Sequence, residues 1–284
     1  MTKIAVLGLG IMGHGVADNF LKNGQDVAVW NRSSEKCRDL VARGARQTNS
    51  VVDALQDAEL VFEITANDES SRAIWLGENG IIANANQGQI LITCATLSVE
   101  WVDELAKICA EKGLTFFDMP MTGGRVAAEN GQLTLLVGGN EAGLDEVKPH
   151  LKNIASQVKY FGSAGSGMRY KLVLNSLQAV HIAAFGEAMQ LARSLGLDEQ
   201  LVGEALVERP GGALTQLAWN GYNNLPDPIN FSVGWIAKDQ AYALKNVPYD
   251  SLPILTESLL YYERAISAGL ANEDWTYIVK SRIN

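Results

Sequence analysis

Through about the first 160 residues, short apolar and β-branched runs alternate with amphipathic stretches. Ile4-Ala5-Val6-Leu7, Asp26 to Trp30, Leu60 to Thr65, Ile90 to Cys94, Thr115 to Asp118 and Leu133 to Val137 read as strands. Helical periodicity occupies the stretch up to Lys22, Val51 to Asp57, and Val99 to Lys112, which closes at Gly113. Short strands alternating with helices predict right-handed βαβ crossovers and a parallel sheet.

The pattern changes near Gly162. After Gly165-Ser166-Gly167 comes an apolar-rich, proline-free stretch from Met168 to Ser194, ending at Gly196. Its length makes it a long helix rather than a strand. The rest is mostly helical in pattern, with breaks at Arg209-Pro210-Gly211-Gly212 and Leu225-Pro226-Asp227-Pro228. The expectation is an α/β domain over residues 1–162 and an all-helical domain over 163–284, opening with a long interdomain helix. A helix that long carries more apolar face than a small helical domain covers, which predicts a homodimer or homotetramer.

Composition narrows the function. The chain has 284 residues, of which 47% are hydrophobic and 19% charged, as in a globular protein rather than a disordered one. Its 23 Lys and Arg against 32 Asp and Glu give a net charge of -9, which argues against general nucleic-acid or anionic-membrane binding. Cys37, Cys94 and Cys109 form no CxxC pair, and His14, His150 and His181 lie far apart, so neither a disulfide framework nor a metal site is expected. There is no apolar run of about 18 residues. The chain starts on a strand-like segment without a basic leader, so the expectation is a cytoplasmic protein.

Gly8-Leu9-Gly10-Ile11-Met12-Gly13 is a GxGxxG that follows a strand and opens a helical pattern. That context makes it a dinucleotide-binding turn and the first domain a Rossmann domain. Gly8 allows the tight turn, Gly10 lets the backbone approach a pyrophosphate, and Gly13 lets helix and strand pack closely. The end of the second strand reads Val29-Trp30-Asn31-Arg32-Ser33, with no carboxylate to receive a ribose 2′-hydroxyl. Arg32 suits a 2′-phosphate, and Asn31 and Ser33 add hydrogen bonds, so NADP (NADPH over NADH) is the expected cofactor.

Lys171 and Asn175 are four residues apart on the long helix and share a face. Among Leu172, Val173 and Leu174, a lysine is a candidate for partial burial, which would lower its pKa and suit it to general acid–base work. A solvated lysine with its stem along the helix fits the same spacing.

Four segments together resemble the β-hydroxyacid dehydrogenase family, which holds 3-hydroxyisobutyrate dehydrogenases, tartronate semialdehyde reductases and glyoxylate or succinic semialdehyde reductases. They are the glycine turn at Gly8, Asp118-Met119-Pro120-Met121-Thr122-Gly123-Gly124, Gly165-Ser166-Gly167-Met168-Arg169-Tyr170-Lys171 with Asn175, and Lys238-Asp239 after Phe231. The resemblance implies a reductase or dehydrogenase acting on CH–OH groups. It interconverts a small β-hydroxyacid and its semialdehyde, with Lys171 as general acid/base and Asn175 holding the lysine or the substrate oxygen. It implies that Thr122, Gly123 and Gly124 hold a carboxylate-bearing substrate, with Thr where the family usually has Ser. It places Thr96 beside the nicotinamide, Asn67 on a neighbouring cofactor loop, and Phe231 and Lys238 at the cofactor from the helical side; Thr96 and Asn67 serve equally well as turn residues. The chain departs from the family at Thr65-Ala66, where Leu-Pro is usual, and at Thr93, where Asp is common. Three rivals remain. One is an imine reductase using NADPH, disfavoured by Lys171. The second is a 6-phosphogluconate dehydrogenase, whose helical part is longer. The third is a non-enzymatic NADP-binding sensor or scaffold, disfavoured by the pair Lys171 and Asn175.

Overall fold

The computed structural model describes residues 2–174, 191–207, 224–225, 227, 229, 232–234, 237, 248 and 250–279. Contacts divide the chain into two compact units, Met1–Asn175 and Ser176–Asn284. The first unit therefore keeps the opening turns of the helix that carries Lys171.

The first unit is built on a nine-stranded sheet. Its strands are β1 (Lys3–Leu7), β2 (Asp26–Trp30), β3 (Arg46–Gln47), β4 (Leu60–Glu63), β5 (Ile90–Thr93), β6 (Thr115–Asp118), β7 (Met121–Thr122), β8 (Leu133–Gly139) and β9 (Ala155–Gly162). They run in the order β3-β2-β1-β4-β5-β6-β8-β7, with β9 also paired to β8. From β3 to β6 every pairing is parallel, in the order of a Rossmann sheet. The purely parallel pattern expected from the sequence ends there. β8 runs antiparallel to β6 and to β7, with α7 on the connection between β7 and β8, and β9 pairs parallel with β8.

Helices cover both faces: α1 (Ile11–Lys22), α2 (Arg38–Ala42), α3 (Val51–Leu55), α4 (Asp68–Leu76), α5 (Ile81–Asn84), α6 (Val99–Glu111), α7 (Gly124–Glu129) and α8 (Glu141–Leu151). The two-residue period of β1 sends Ile4 and Val6 into one core with Phe20, Phe62 and Leu144. Ala5 and Leu7 enter the other, with Trp75, Leu91 and Trp101. Burial on both faces is what makes the central strands read as continuous apolar runs. β1 bonds to both β2 and β4, so the chain winds outward from this strand in both directions and leaves a crevice at the carboxyl ends of β1 and β4.

A further helix starts at residue 166 and is described as far as residue 174. In the second unit the described elements are helical residues 191–194, a helix over Glu199–Val207, a longer one over Pro253–Ser267, and a 3-10 turn over Trp275–Val279. An isolated antiparallel bridge joins Ser232 and Asp274. Val233, Ala237, Tyr262 and Ala265 form a small buried cluster there. This is a helical C-terminal region following a Rossmann-like domain. Among the described residues no helix is long and apolar enough to cross a membrane.

Candidate active site

The crevice at the end of β1 holds a cleft of about 580 Å³, lined by all six residues from Gly8 to Gly13. Gly8 has φ +103°, and a Cβ there would collide with the Ile64 carbonyl oxygen. A Cβ on Gly13 would strike the carbonyl oxygen of Gly8. Side chains at these two positions would push α1 away from β1 and β4. A Cβ on Gly10 meets nothing within 4 Å, so its backbone is open to the cleft. Gly10 caps α1 without a side-chain hydrogen bond. The first-turn amides of α1 therefore point into the cleft with no side-chain acceptor, an arrangement suited to a phosphate.

Asn31, Arg32 and Ser33 line the same cleft at the end of β2. Asn31 is held at both ends of its amide: Oδ1 accepts from the Leu9 N–H at 2.9 Å, and Nδ2 donates to the Ser33 carbonyl at 3.0 Å. It thus ties the glycine turn to the end of β2. Arg32 is exposed and has no carboxylate partner among the described residues. Lys36, absent from the residues singled out in the sequence, joins it on the rim. The 3-10 turn over Ser34–Cys37 folds the chain back so that this lysine faces the cleft. Spacing from Arg32 alone did not mark it.

The third wall comes from the end of β4. β4 stops at Glu63, two residues short of the expected end, because the Glu63 carboxyl group takes the Thr65 N–H at 3.0 Å out of the ladder. Glu63 is completely buried, and its other oxygen accepts from Thr93 Oγ1 at 2.6 Å and Trp75 Nε1 at 3.3 Å. Glu63 and Thr93 are register partners across β4 and β5. A carboxyl group thus bridges the strands beside Thr93, where the family's Asp is common. Thr65, Ala66, Ser70, Cys94, Ala95 and Thr96 line the cleft beyond it. Thr65 Oγ1 is buried with no hydrogen-bond partner, an orphaned polar atom at the cleft wall. Asn67 caps α4, accepting from the Ser70 N–H at 3.0 Å. It lines an adjoining hollow together with Ala66, Thr96 and Leu172.

Lys171 is 8% exposed, and no carboxylate pairs with it among the described residues. Burial lowers its pKa from the ordinary lysine value. It does not line the cleft itself; its neighbour Leu172 reaches the adjoining hollow, which shares Ala66 and Thr96 with the cleft. Met168, one turn earlier on the same helix face, accepts the Leu97 N–H on its sulfur at 3.3 Å. Thr122 is half-buried on β7, and Gly123 and Gly124 are exposed at the start of α7. Of that segment only Met121 reaches the cleft. Arg125 is exposed and pairs with Glu129 at 2.6 Å, and His14 pairs with Asp39 at 3.1 Å. Asn175, Phe231 and Lys238 lie outside the described residues.

An open backbone turn at a helix N-terminus, two rim cations with no carboxylate partner among the described residues and an orphaned hydroxyl on the wall all fit a phosphorylated dinucleotide. Fold and cleft together define a dinucleotide-binding protein of the Rossmann class. Residues 3–162 match the family described as the NAD binding domain of 6-phosphogluconate dehydrogenase. The chain is 32% identical to a 3-hydroxyisobutyrate dehydrogenase of Pseudomonas aeruginosa, over 87% of this chain and 85% of that protein. It is 30% identical to the chloroplastic glyoxylate/succinic semialdehyde reductase 2 of Arabidopsis thaliana, over 98% of this chain and 79% of that protein. Among solved structures, a Mycobacterium tuberculosis 3-hydroxyisobutyrate dehydrogenase with L-serine superposes with a TM-score of 0.69 at 26% identity, covering 98% of each chain. The chain belongs to the β-hydroxyacid dehydrogenase family of oxidoreductases, built on a 6-phosphogluconate dehydrogenase type of NAD-binding domain.

Proposed function

We propose that this chain is an NADPH-dependent oxidoreductase that interconverts a small β-hydroxyacid and its semialdehyde, with Lys171 as general acid/base. The observation that carries the reading is the state of Lys171: buried, without a carboxylate partner among the described residues, and lowered in pKa by desolvation. A surface lysine with its stem along the helix would keep its charge in water.

The nicotinamide, when bound, supplies or takes the hydride. In the reductive direction negative charge develops on the substrate oxygen, and the Lys171 ammonium protonates it. In the oxidative direction the neutral amine takes the hydroxyl proton. Gly10 to Gly13 and the helix behind them hold the pyrophosphate. Arg32 and Lys36 receive the 2′-phosphate as charge-assisted donors, and Ser33 adds a hydroxyl. Thr96 and Asn67 border the reacting end. Thr122, Gly123 and Gly124 take the substrate carboxylate through a hydroxyl and backbone amides. Asn175 steadies the lysine or the substrate oxygen, and Phe231 and Lys238 serve the cofactor from the helical region. That region, residues 163–284, supplies the substrate side and the self-association surface.

The test is NADPH and NADH oxidation, run in parallel on glyoxylate and on succinic, methylmalonic and tartronic semialdehydes. Turnover is expected with at least one acid and with NADPH preferred. Lys171→Ala is expected to lose about a hundredfold to ten-thousandfold in kcat while still binding NADPH. The pH dependence carries the sign of the lysine's shift. Burial makes the ammonium give up its proton below the usual ~10.4, so reduction slows as pH rises through that lowered value and oxidation speeds up. Nucleotide binding with no turnover on any of the acids, and no effect of Lys171→Ala, would mark a sensor instead.

A further inference from the structure

We propose that Asp118 is the positioning residue of Lys171: its carboxyl group caps the lysine helix from the end of a neighbouring strand and sets where that helix presents the amine. The inference rests on the reading of Lys171 given above. It assigns Asp118, in the segment that resembles a substrate loop, to the helix and not to substrate.

Asp118 is the last residue of β6 and is completely buried. One oxygen accepts the Gly165 N–H at 2.6 Å, and the other accepts the Met168 N–H at 2.7 Å. The helix begins at residue 166, so these are the amides of its cap position and its third residue. A helix start normally satisfies that third amide with a Ser, Thr, Asp or Asn of its own. Gly165 has no side chain to do this, and the acceptor for the Met168 amide comes instead from a residue 50 positions away in sequence. Both oxygens are spent on short bonds, which leaves the carboxyl group poorly placed to take a ligand. Glycines let the two elements meet: a Cβ on Gly167 would strike the Leu136 carbonyl oxygen, and one on Gly138 would strike Asp118 itself. Burial raises the Asp118 pKa from the ordinary carboxyl value, and the Gly165 and Met168 amides and the helix dipole favour its ionised form.

The helix has other ties. Arg169 makes a two-pronged pair with Asp103 at 2.9 and 2.7 Å, and Tyr170 stacks on Phe161 with ring centroids 3.9 Å apart. The ion pair is exposed and worth little. The bonds to Asp118 are buried and short, hence the stronger constraint. Lys171 lies three residues beyond Met168, about 4.5 Å along the axis and on the same side. A shift or rotation at the cap passes directly to the amine, and a displacement of about 1 Å at a reacting group costs about a hundredfold in rate. None of the residues lining the dinucleotide cleft touches Asp118 through these bonds, so its effect falls on chemistry and not on cofactor affinity.

Asp118→Asn in the full chain tests this. Asparagine keeps the size and one acceptor but turns an amide NH2 toward one of the two backbone N–H groups. The expected result is a kcat about a hundredfold lower, an NADPH Kd by fluorescence quenching within about twofold of wild type, and a displaced high-pH limb in the reductive rate profile. In hydrogen exchange the wild-type Gly165 and Met168 amides should be as protected as those of β6, and the Met168 amide should open in the variant. Unchanged kcat and pH profile overturn the proposal, as does equal loss of kcat and NADPH affinity, which marks general destabilisation. Should the variant not fold, the wild-type exchange decides: Gly165 and Met168 amides that exchange like exposed ones sink it. Absence of turnover by the wild-type chain defeats the functional reading, and this inference with it. Turnover with an indifferent Asp118→Asn defeats this inference alone.

Discussion

Arg32 and Lys36 line the cleft with no carboxylate partner among the described residues, while Arg43, Arg46, Arg72, Arg125 and Arg169 are each paired with an acid. A guanidinium without an internal partner keeps its donors for a phosphate. Arg32→Ala is therefore expected to weaken NADPH binding about ten- to hundredfold and NADH binding less than about threefold. Fluorescence titration with both nucleotides checks it, and equal losses refute the 2′-phosphate assignment. Arg32 was legible in the sequence because the alternative, an acid at the end of β2, is visibly missing. Lys36 was not, since its approach to the cleft depends on the fold-back over Ser34–Cys37. Asn31 has a second role that the sequence does not show: besides lining the cleft, its amide braces the Leu9 N–H and the Ser33 carbonyl and so fixes the shape of the glycine turn.

At the scale of elements, the junction of β4, β5 and α4 depends on one buried acid. Glu63 gathers the Thr65 N–H, the Thr93 hydroxyl and the Trp75 indole, and no cation pairs with it among the described residues. Removing the acceptor leaves several donors unpaired in the interior, each worth about 1–3 kcal/mol. Glu63→Ala is expected to lower the unfolding free energy by about 3 kcal/mol in urea denaturation. A loss well under about 1 kcal/mol would mean that the donors find other partners. The apolar pattern ran this strand on to Thr65 because Ile64 and Thr65 suit a strand. The strand stops earlier because of a side-chain bond that periodicity does not encode. β9 escaped the sequence reading for another reason: most of its side chains are exposed, so it lacks the apolar run that marks a buried strand. β8 is read as a strand from Leu133 to Val137, but its antiparallel direction is not legible, since direction is set by how the chain returns and not by the residues of the strand.

For the whole molecule, the long apolar stretch after Gly167 predicts self-association. Light scattering is expected to give the mass of two or four chains, and a monomer would remove the basis for that expectation. The sequence by itself determined the alternation of elements, the glycine turn at the end of the first strand, the missing acid after the second, and the segments that place the chain in its family. These are local signals: periodicity, steric demands on Gly8 and Gly13, and residue types at short spacing. Only the tertiary structure decided that Glu63 lies beneath the cleft wall, that Lys36 joins Arg32 on its rim, and that Asp118 closes the start of the lysine helix. Glu63 and Asp118 act through contacts between segments far apart in sequence, and Lys36 through the fold-back over Ser34–Cys37. Burial of Lys171 belongs with them, because desolvation of an amine is a property of what packs around it, and no spacing along one helix contains that information.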